Sequence, residues 1–234
     1  EPKWSGDGRF LVYTRYVRRA TDIILLDVVN KRHRRLAGFC GLNAGAALNG
    51  DGSRAAMILS KDGSVDLYVM ELKDRTLKRL TRSPDVEASP CWSPDGRRIC
   101  FVSDKGVATP TLFVIDAKGG TARRVLKTRA EAVSPDWSPV SNRIAFSTRR
   151  GKQYVLAVLD MNEKGARPRI VVKDDGDWES PSWTADGRHL VCSRASGDTL
   201  RLALVDTEKG TWRLLGDAGS RDSMPACIRA PEVK

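Results

Sequence analysis

One phrase returns through this chain at near-constant intervals, and its return limits the fold more than any other feature. The phrase is Pro-x-Trp-Ser-Pro-Asp-Gly-Arg followed by an apolar run. It reads Pro2-Lys3-Trp4-Ser5-Gly6-Asp7-Gly8-Arg9 at the start and Pro90-Cys91-Trp92-Ser93-Pro94-Asp95-Gly96-Arg97 further on. Pro135-Asp136-Trp137-Ser138-Pro139 and Pro181-Ser182-Trp183-Thr184-Ala185-Asp186-Gly187-Arg188 continue it. A degenerate copy, Ala46-Ala47-Leu48-Asn49-Gly50-Asp51-Gly52, and a fragment, Pro225-Ala226-Cys227, complete the series. The anchor positions 4, 48, 92, 137, 183 and 227 stand 44, 44, 45, 46 and 44 residues apart. A tandem period of about 45 residues belongs to architectures in which each unit buries its apolar face against the next.

Inside each unit the same order recurs. A Pro-x-Trp strand passes through an Asp-Gly turn into an apolar strand such as Arg98–Ser103 or Arg143–Ser147. A second turn leads to Asp66–Met70 or Thr111–Asp116, and a third to a short basic strand such as Leu77–Thr81 or Ala122–Leu126. These are short runs bounded by turn residues, and none carries a helical stripe. Four antiparallel strands per repeat predict an all-β fold, a β-propeller filling residues 1–234. Five complete blades are expected at about 2–41, 42–87, 88–133, 134–179 and 180–224, with a closing strand at 225–231. A ring must hide its strand edges, so the lone last strand suggests a six-bladed ring whose missing strands precede Glu1. A five-bladed ring with a redundant last strand is the alternative. The anchors Trp4, Trp92, Trp137 and Trp183 are expected to wedge between blades, and the Asp-Gly pairs to supply tight turns.

The chemistry such a chain can do is narrowed by what it lacks. It has 40 Lys plus Arg against 29 Asp plus Glu, a formal charge of +11. The cations are spread through the chain, and the densest cluster, Lys31-Arg32-His33-Arg34-Arg35, has no aromatic interleaving for base stacking. A solvated basic surface is expected, without nucleic acid as partner. The cysteines Cys40, Cys91, Cys100, Cys192 and Cys227 form no Cys-x-x-Cys pair and read as structural thiols, which suits a reducing compartment. No Gly-x-Ser-x-Gly elbow occurs, and His33 and His189 sit in strand-like runs. Asp174-Asp175-Gly176-Asp177 does not complete a calcium loop, and Gly119-Gly120 is a turn. No catalytic residue, metal or cofactor is expected, and no apolar run approaches the ~20 residues of a membrane span. What remains is a surface. Five residues ahead of the anchors stand Asn43, Glu87, Ala132, Trp178 and Asp222, positions that converge on one mouth of a propeller. Trp178, beside Glu179, is either an interface hot spot there or folded against the next blade.

The repeated phrase, with Leu-Tyr-Val-Met at 67–70 and Arg-Leu-Thr at 79–81, resembles the PD40 blades of the TolB family, periplasmic propellers of the bacterial Tol–Pal envelope system. The segment Leu59–Leu72 is similar to that family's second full blade, and Met224-Pro225-Ala226-Cys227 to its closing strand. The blade motif is shared with the gating propellers of prolyl-oligopeptidase-type peptidases, which gives an enzyme-class alternative beside that of a generic interaction propeller. The TolB resemblance implies a six-bladed ring behind a small α/β domain and a non-enzymatic scaffold. That scaffold would be periplasmic, monomeric and peripheral to the membrane without inserting. Its implied partners are the peptidoglycan-associated lipoprotein Pal and TolA, in the service of envelope integrity and cell division. Pal contact in the family falls on positions matching Leu42, Gly45 and Ala88. The family commonly has a His where this chain has Leu42 and a Thr where it has Ala88. Together the expected partner site is Leu42, Asn43, Gly45, Glu87, Ala88, Trp178 and Glu179.

Overall fold

Among the described residues, twenty strands make five four-stranded sheets, each a meander in which sequence neighbours pair antiparallel. The computed structural model describes residues 2–18, 20–127, 130–163, 165, 167–216 and 222–227. Blade 1 holds β1 (Lys3–Trp4), β2 (Phe10–Val17), β3 (Ala20–Asp27) and β4 (Arg32–Ala37). Blade 2 holds β5 (Asn43–Leu48), β6 (Arg54–Leu59), β7 (Asp66–Glu71) and β8 (Leu77–Arg79). Blade 3 holds β9 (Glu87–Trp92), β10 (Arg98–Ser103), β11 (Thr111–Asp116) and β12 (Arg123–Arg124). Blade 4 holds β13 (Ala132–Trp137), β14 (Arg143–Arg150), β15 (Gln153–Asp160) and β16 (Arg169–Ile170). Blade 5 holds β17 (Asp177–Trp183), β18 (His189–Ser196), β19 (Thr199–Asp206) and β20 (Trp212–Leu214).

Two-residue periodicity gives each blade two apolar faces, and the faces of neighbours meet. Ile99, Phe101, Phe113 and Ile115 of blade 3 join Ala56, Ile58, Leu67 and Val69 of blade 2. On the other face of blade 3, Cys100, Val102, Leu112 and Val114 join Ile144, Phe146, Ala157 and Leu159 of blade 4. The anchors lie in these seams: Trp92, Trp137 and Trp183 are 7%, 4% and 3% exposed. Trp92 Nε1 donates to Ala47 O at 3.0 Å, and Trp183 Nε1 to Asp136 O at 3.1 Å, so these two indoles are tied to the residue just before the preceding anchor, whereas Trp137 Nε1 is buried with no hydrogen-bond partner among the described residues.

A second repeated device accompanies each indole. The residue six places after an anchor crosses to the next anchor. Arg54 lies 4.8 Å above the Trp92 ring, Arg98 4.9 Å above Trp137 and Arg143 5.3 Å above Trp183. Each guanidinium also reaches the neighbouring turn: Arg54 Nη2 to Gly96 O at 2.7 Å, Arg98 Nη2 to Asn142 Oδ1 at 3.1 Å, Arg143 Nη2 to Gly187 O at 2.6 Å. Where the next anchor is not Trp the cation is absent. Phe10 packs into the cluster that holds Leu48, and His189 stands six places after Trp183, ahead of Cys227.

The six-bladed expectation meets a ring with five blades, so that part of the reading is corrected. The described part of the closing segment, 222–227, is not assigned as a strand, and residues 228–231 of the expected one lie outside the described residues. Its backbone nevertheless repeats the inner-strand pattern. Gly45, Ser89, Ser134 and Ser180, each three residues before an anchor, have φ of 56°, 48°, 50° and 51°, and Met224 has φ of 55°. Trp183 N donates to Asp136 Oδ2 at 2.8 Å, and Cys227 N donates to Ser182 Oγ at 3.0 Å, the corresponding contact one blade later. The segment thus occupies a sixth inner position. Two half-exposed apolar faces belong to the blades on either side of it, Val191, Leu202 and Leu204 from blade 5 and Leu11, Tyr13 and Leu26 from blade 1.

Candidate partner-binding mouth

The first strands of all five blades run in one sense around an axis. Their C-terminal ends, with Ala226 and Cys227, line a cavity of about 880 Å³. Lys3 Nζ spans it to Asp136 Oδ1 at 2.9 Å. The loops that lead into the inner strands therefore gather at the opposite, N-terminal mouth, where the expected partner site lies.

Of the seven expected residues, three turn inward. Asn43 is 0% exposed and holds its own loop together. Its Oδ1 accepts from Phe39 N at 3.0 Å, and its Nδ2 donates to Phe39 O at 2.8 Å and Gly41 O at 3.1 Å. Glu87 is 2% exposed; its Oε2 accepts from Leu67 N at 2.8 Å and Thr81 Oγ1 at 2.5 Å. Burial pushes its carboxyl up to about 7, with the Thr81 and Leu67 hydrogen bonds opposing that rise and nearby Asp66 adding to it. Trp178 is 0% exposed: its Nε1 donates to Asp174 Oδ1 at 2.6 Å, and its ring meets Trp212 edge-on at 5.4 Å. It belongs to the apolar seam between blades 4 and 5, so its register position is on the mouth while its side chain is not. An indole offered the choice between water and that seam gains more by burial.

Leu42, Gly45, Ala88 and Glu179 stay at or near the surface. Partial burial and the adjacent Asp177 hold the Glu179 carboxyl above its usual range. Beside these residues lie apolar side chains that register alone did not single out. Phe39 and Leu42 are 37% and 39% exposed, Val86 57% and Met224 51%. All four stand in loops feeding inner strands, from the approach to blade 2 round to the closing segment. Sequence offered one sign of them: Val86 and Met224 are apolar residues in otherwise polar loops, where water is the expected neighbour. Val86 is fixed in place by its N–H, which donates to Asp104 Oδ1 at 2.9 Å.

No group of three or more metal-ligating side chains occurs among the described residues. Asp174 instead caps Gly176 N at 3.1 Å and pairs with Arg194 at 3.0 Å, which accounts for the acidic run as a turn. His33 Nδ1 lies 3.2 Å from the Tyr13 hydroxyl, and His189 Nδ1 lies 2.7 Å from Asp186 Oδ2. No helix among the described residues is long and apolar enough to cross a membrane.

Comparison with known proteins agrees with this architecture. The Tol-Pal system protein TolB of Helicobacter pylori (strain ATCC 700392 / 26695) is 29% identical over 105 residues, 44% of this chain and 25% of that protein. The crystal structure of TolB from Acinetobacter baumannii superposes with a TM-score of 0.83 at 24% identity, covering 97% of this chain and 56% of that one. A Mycobacterium tuberculosis puromycin-hydrolyzing peptidase shares the fold at a TM-score of 0.68 and 14% identity, over 37% of its length. This chain thus spans little more than half of the Acinetobacter protein. The family described as "PD40: TolB beta propeller domain" matches residues 1–226, and the chain belongs to it.

Proposed function

We propose that this propeller is a non-enzymatic scaffold of the bacterial periplasm, whose N-terminal mouth docks a Pal-like lipoprotein. Support comes from the exposed Phe39, Leu42, Val86 and Met224 around that mouth, an apolar set that water solvates poorly and a protein surface would cover. Gly45, Ala88 and Glu179 form the polar and small-residue part of the same site. Docking there serves envelope integrity and cell division, alongside a TolA-like partner. A second reading, a propeller that gates a serine-peptidase domain, is favoured only by the likeness in fold to the Mycobacterium peptidase.

Titration with the soluble domain of a Pal-like lipoprotein tests the first reading. Leu42→Asp with Val86→Asp should weaken binding about a hundredfold or more, since two central contacts typically cost about 2 kcal/mol each. Unchanged affinity with an unchanged melting temperature would remove the mouth as the site.

A further inference from the structure

The charge of this chain is sorted by radius. The five inner strands carry one cation, Lys3, against four carboxylates, Glu87, Asp136, Asp177 and Glu179. The five outermost strands carry nine cations, namely Arg32, Arg34 and Arg35 on β4, Lys78 and Arg79 on β8, Arg123 and Arg124 on β12, Arg169 on β16 and Arg213 on β20. They carry no carboxylate. Lys and Arg on an edge strand discourage edge-to-edge pairing, and that accounts for a thin belt of positive charge. It does not account for the thickening at blades 1 and 2.

There the turn between β3 and β4 differs from its counterparts. Asp27 closes it by accepting from Asn30 N at 3.0 Å, and Lys31 takes φ of 53°. The turn carries Val28 and Val29 at its tip, 38% and 73% exposed. At the position of Val28 the other blades place Leu72, Ala117, Met161 and Thr207, of which Leu72, Ala117 and Thr207 are buried. At that of Val29 they place polar Lys73, Lys118, Asn162 and Glu208. Immediately beyond the two valines come exposed Lys31, Arg32 and Arg34, which have no carboxylate at ion-pair distance among the described residues. Blade 2 adds Lys73 and Arg75 to the same spot. Arg34 Nη1 reaches Leu72 O at 3.5 Å, and Arg75 Nη2 reaches Arg35 O at 3.0 Å.

We infer that this edge docks on a bilayer of anionic phospholipids, with Lys31, Arg32, Arg34, Lys73 and Arg75 on headgroup phosphates and Val28 and Val29 in the interface. An apolar tip beside cations with no carboxylate at ion-pair distance suits a lipid surface, whose negative headgroups attract the cations while the interface takes the valines. For a nucleic acid this edge offers one ring, His33 between Arg32 and Arg34, and puts two valines rather than stacking aromatics at its tip. The turn is at the end of blade 1 away from the N-terminal mouth, so docking leaves that mouth open and does not depend on what binds there.

Co-sedimentation with vesicles tests the inference. The protein should pellet with phosphatidylcholine vesicles containing about a third phosphatidylglycerol, and stay soluble with pure phosphatidylcholine. Raising the salt from 50 to 300 mM should release it. Arg32→Glu with Arg34→Glu should lower affinity at least about tenfold, and Val28→Ser with Val29→Ser several-fold. Arg123→Glu with Arg124→Glu, the same charge change on blade 3, should leave most of the binding. Equal loss from either charge reversal would overturn the localised site, as would binding to both vesicle types. Retention by short duplex DNA that ignores the valine substitutions would overturn the lipid reading in favour of a general polyanion.

Discussion

At the scale of single residues, the Arg98–Trp137 stack joins two blades through a face contact and a hydrogen bond. Arg98→Ala should therefore cost about 1–2 kcal/mol in urea unfolding, while Arg97→Ala, on the neighbouring exposed position, should stay within about 0.5 kcal/mol. Glu87 makes stability depend on pH. Its folded-state pKa of about 7 lies above the unfolded value of about 4.3, so the native state keeps a proton that the unfolded state has lost. The stability it contributes is full below about pH 4 and drains away as pH rises through 7. Glu87→Gln keeps an oxygen for Leu67 N and Thr81 yet cannot ionise. Between pH 5 and 8 the wild type should lose about 2–3 kcal/mol relative to that variant in parallel denaturation curves. The thiols divide by access. Cys40 is exposed, Cys91, Cys100 and Cys192 are buried, and burial pushes Cys100, Cys192 and Cys227 above the usual thiol range. Native labelling at pH 8 should modify one cysteine quickly, Cys40, and the buried three only on unfolding. Fast modification of three or more would contradict the packing of the seams.

Elements show where local chemistry announced the structure and where it stayed silent. The Trp anchors and the Asp-Gly turns were legible because a large ring and a positive-φ residue have few places to go. The bulge three residues before each anchor was not legible. Ser-Pro gives no hint of left-handed backbone, and only the pairing of each inner strand with its neighbour forces it: register shifts between Ala44 and Ala47, Val133 and Asp136, and Glu179 and Ser182. Gly45→Val should thus cost about 1–2 kcal/mol, since a branched side chain tolerates φ of 56° poorly. Gly45→Ser, which copies blades 3 to 5, should cost under about 1 kcal/mol by thermal melting. Outer strands came out shorter than the periodicity suggested. Ala122–Leu126 was expected as a strand and only Arg123–Arg124 pairs, because an edge strand has one neighbour to hold it.

Over the whole molecule, the period fixed the blade and the count of anchors fixed five blades and a remnant, but register could not say which mouth residues face water. Trp178 is a Trp outside the anchor positions, and it fills a seam. Val86 and Met224 looked ordinary and stand in solvent. Exposure depends on neighbours from other blades, which no single repeat contains. The sorting of charge by radius is likewise invisible until strands are placed. A wheel with a negative hub and a positive tyre has a field that changes sign with direction. Oppositely charged visitors are guided to different stations before any contact forms, and those approaches slow differently as ions are added to the medium.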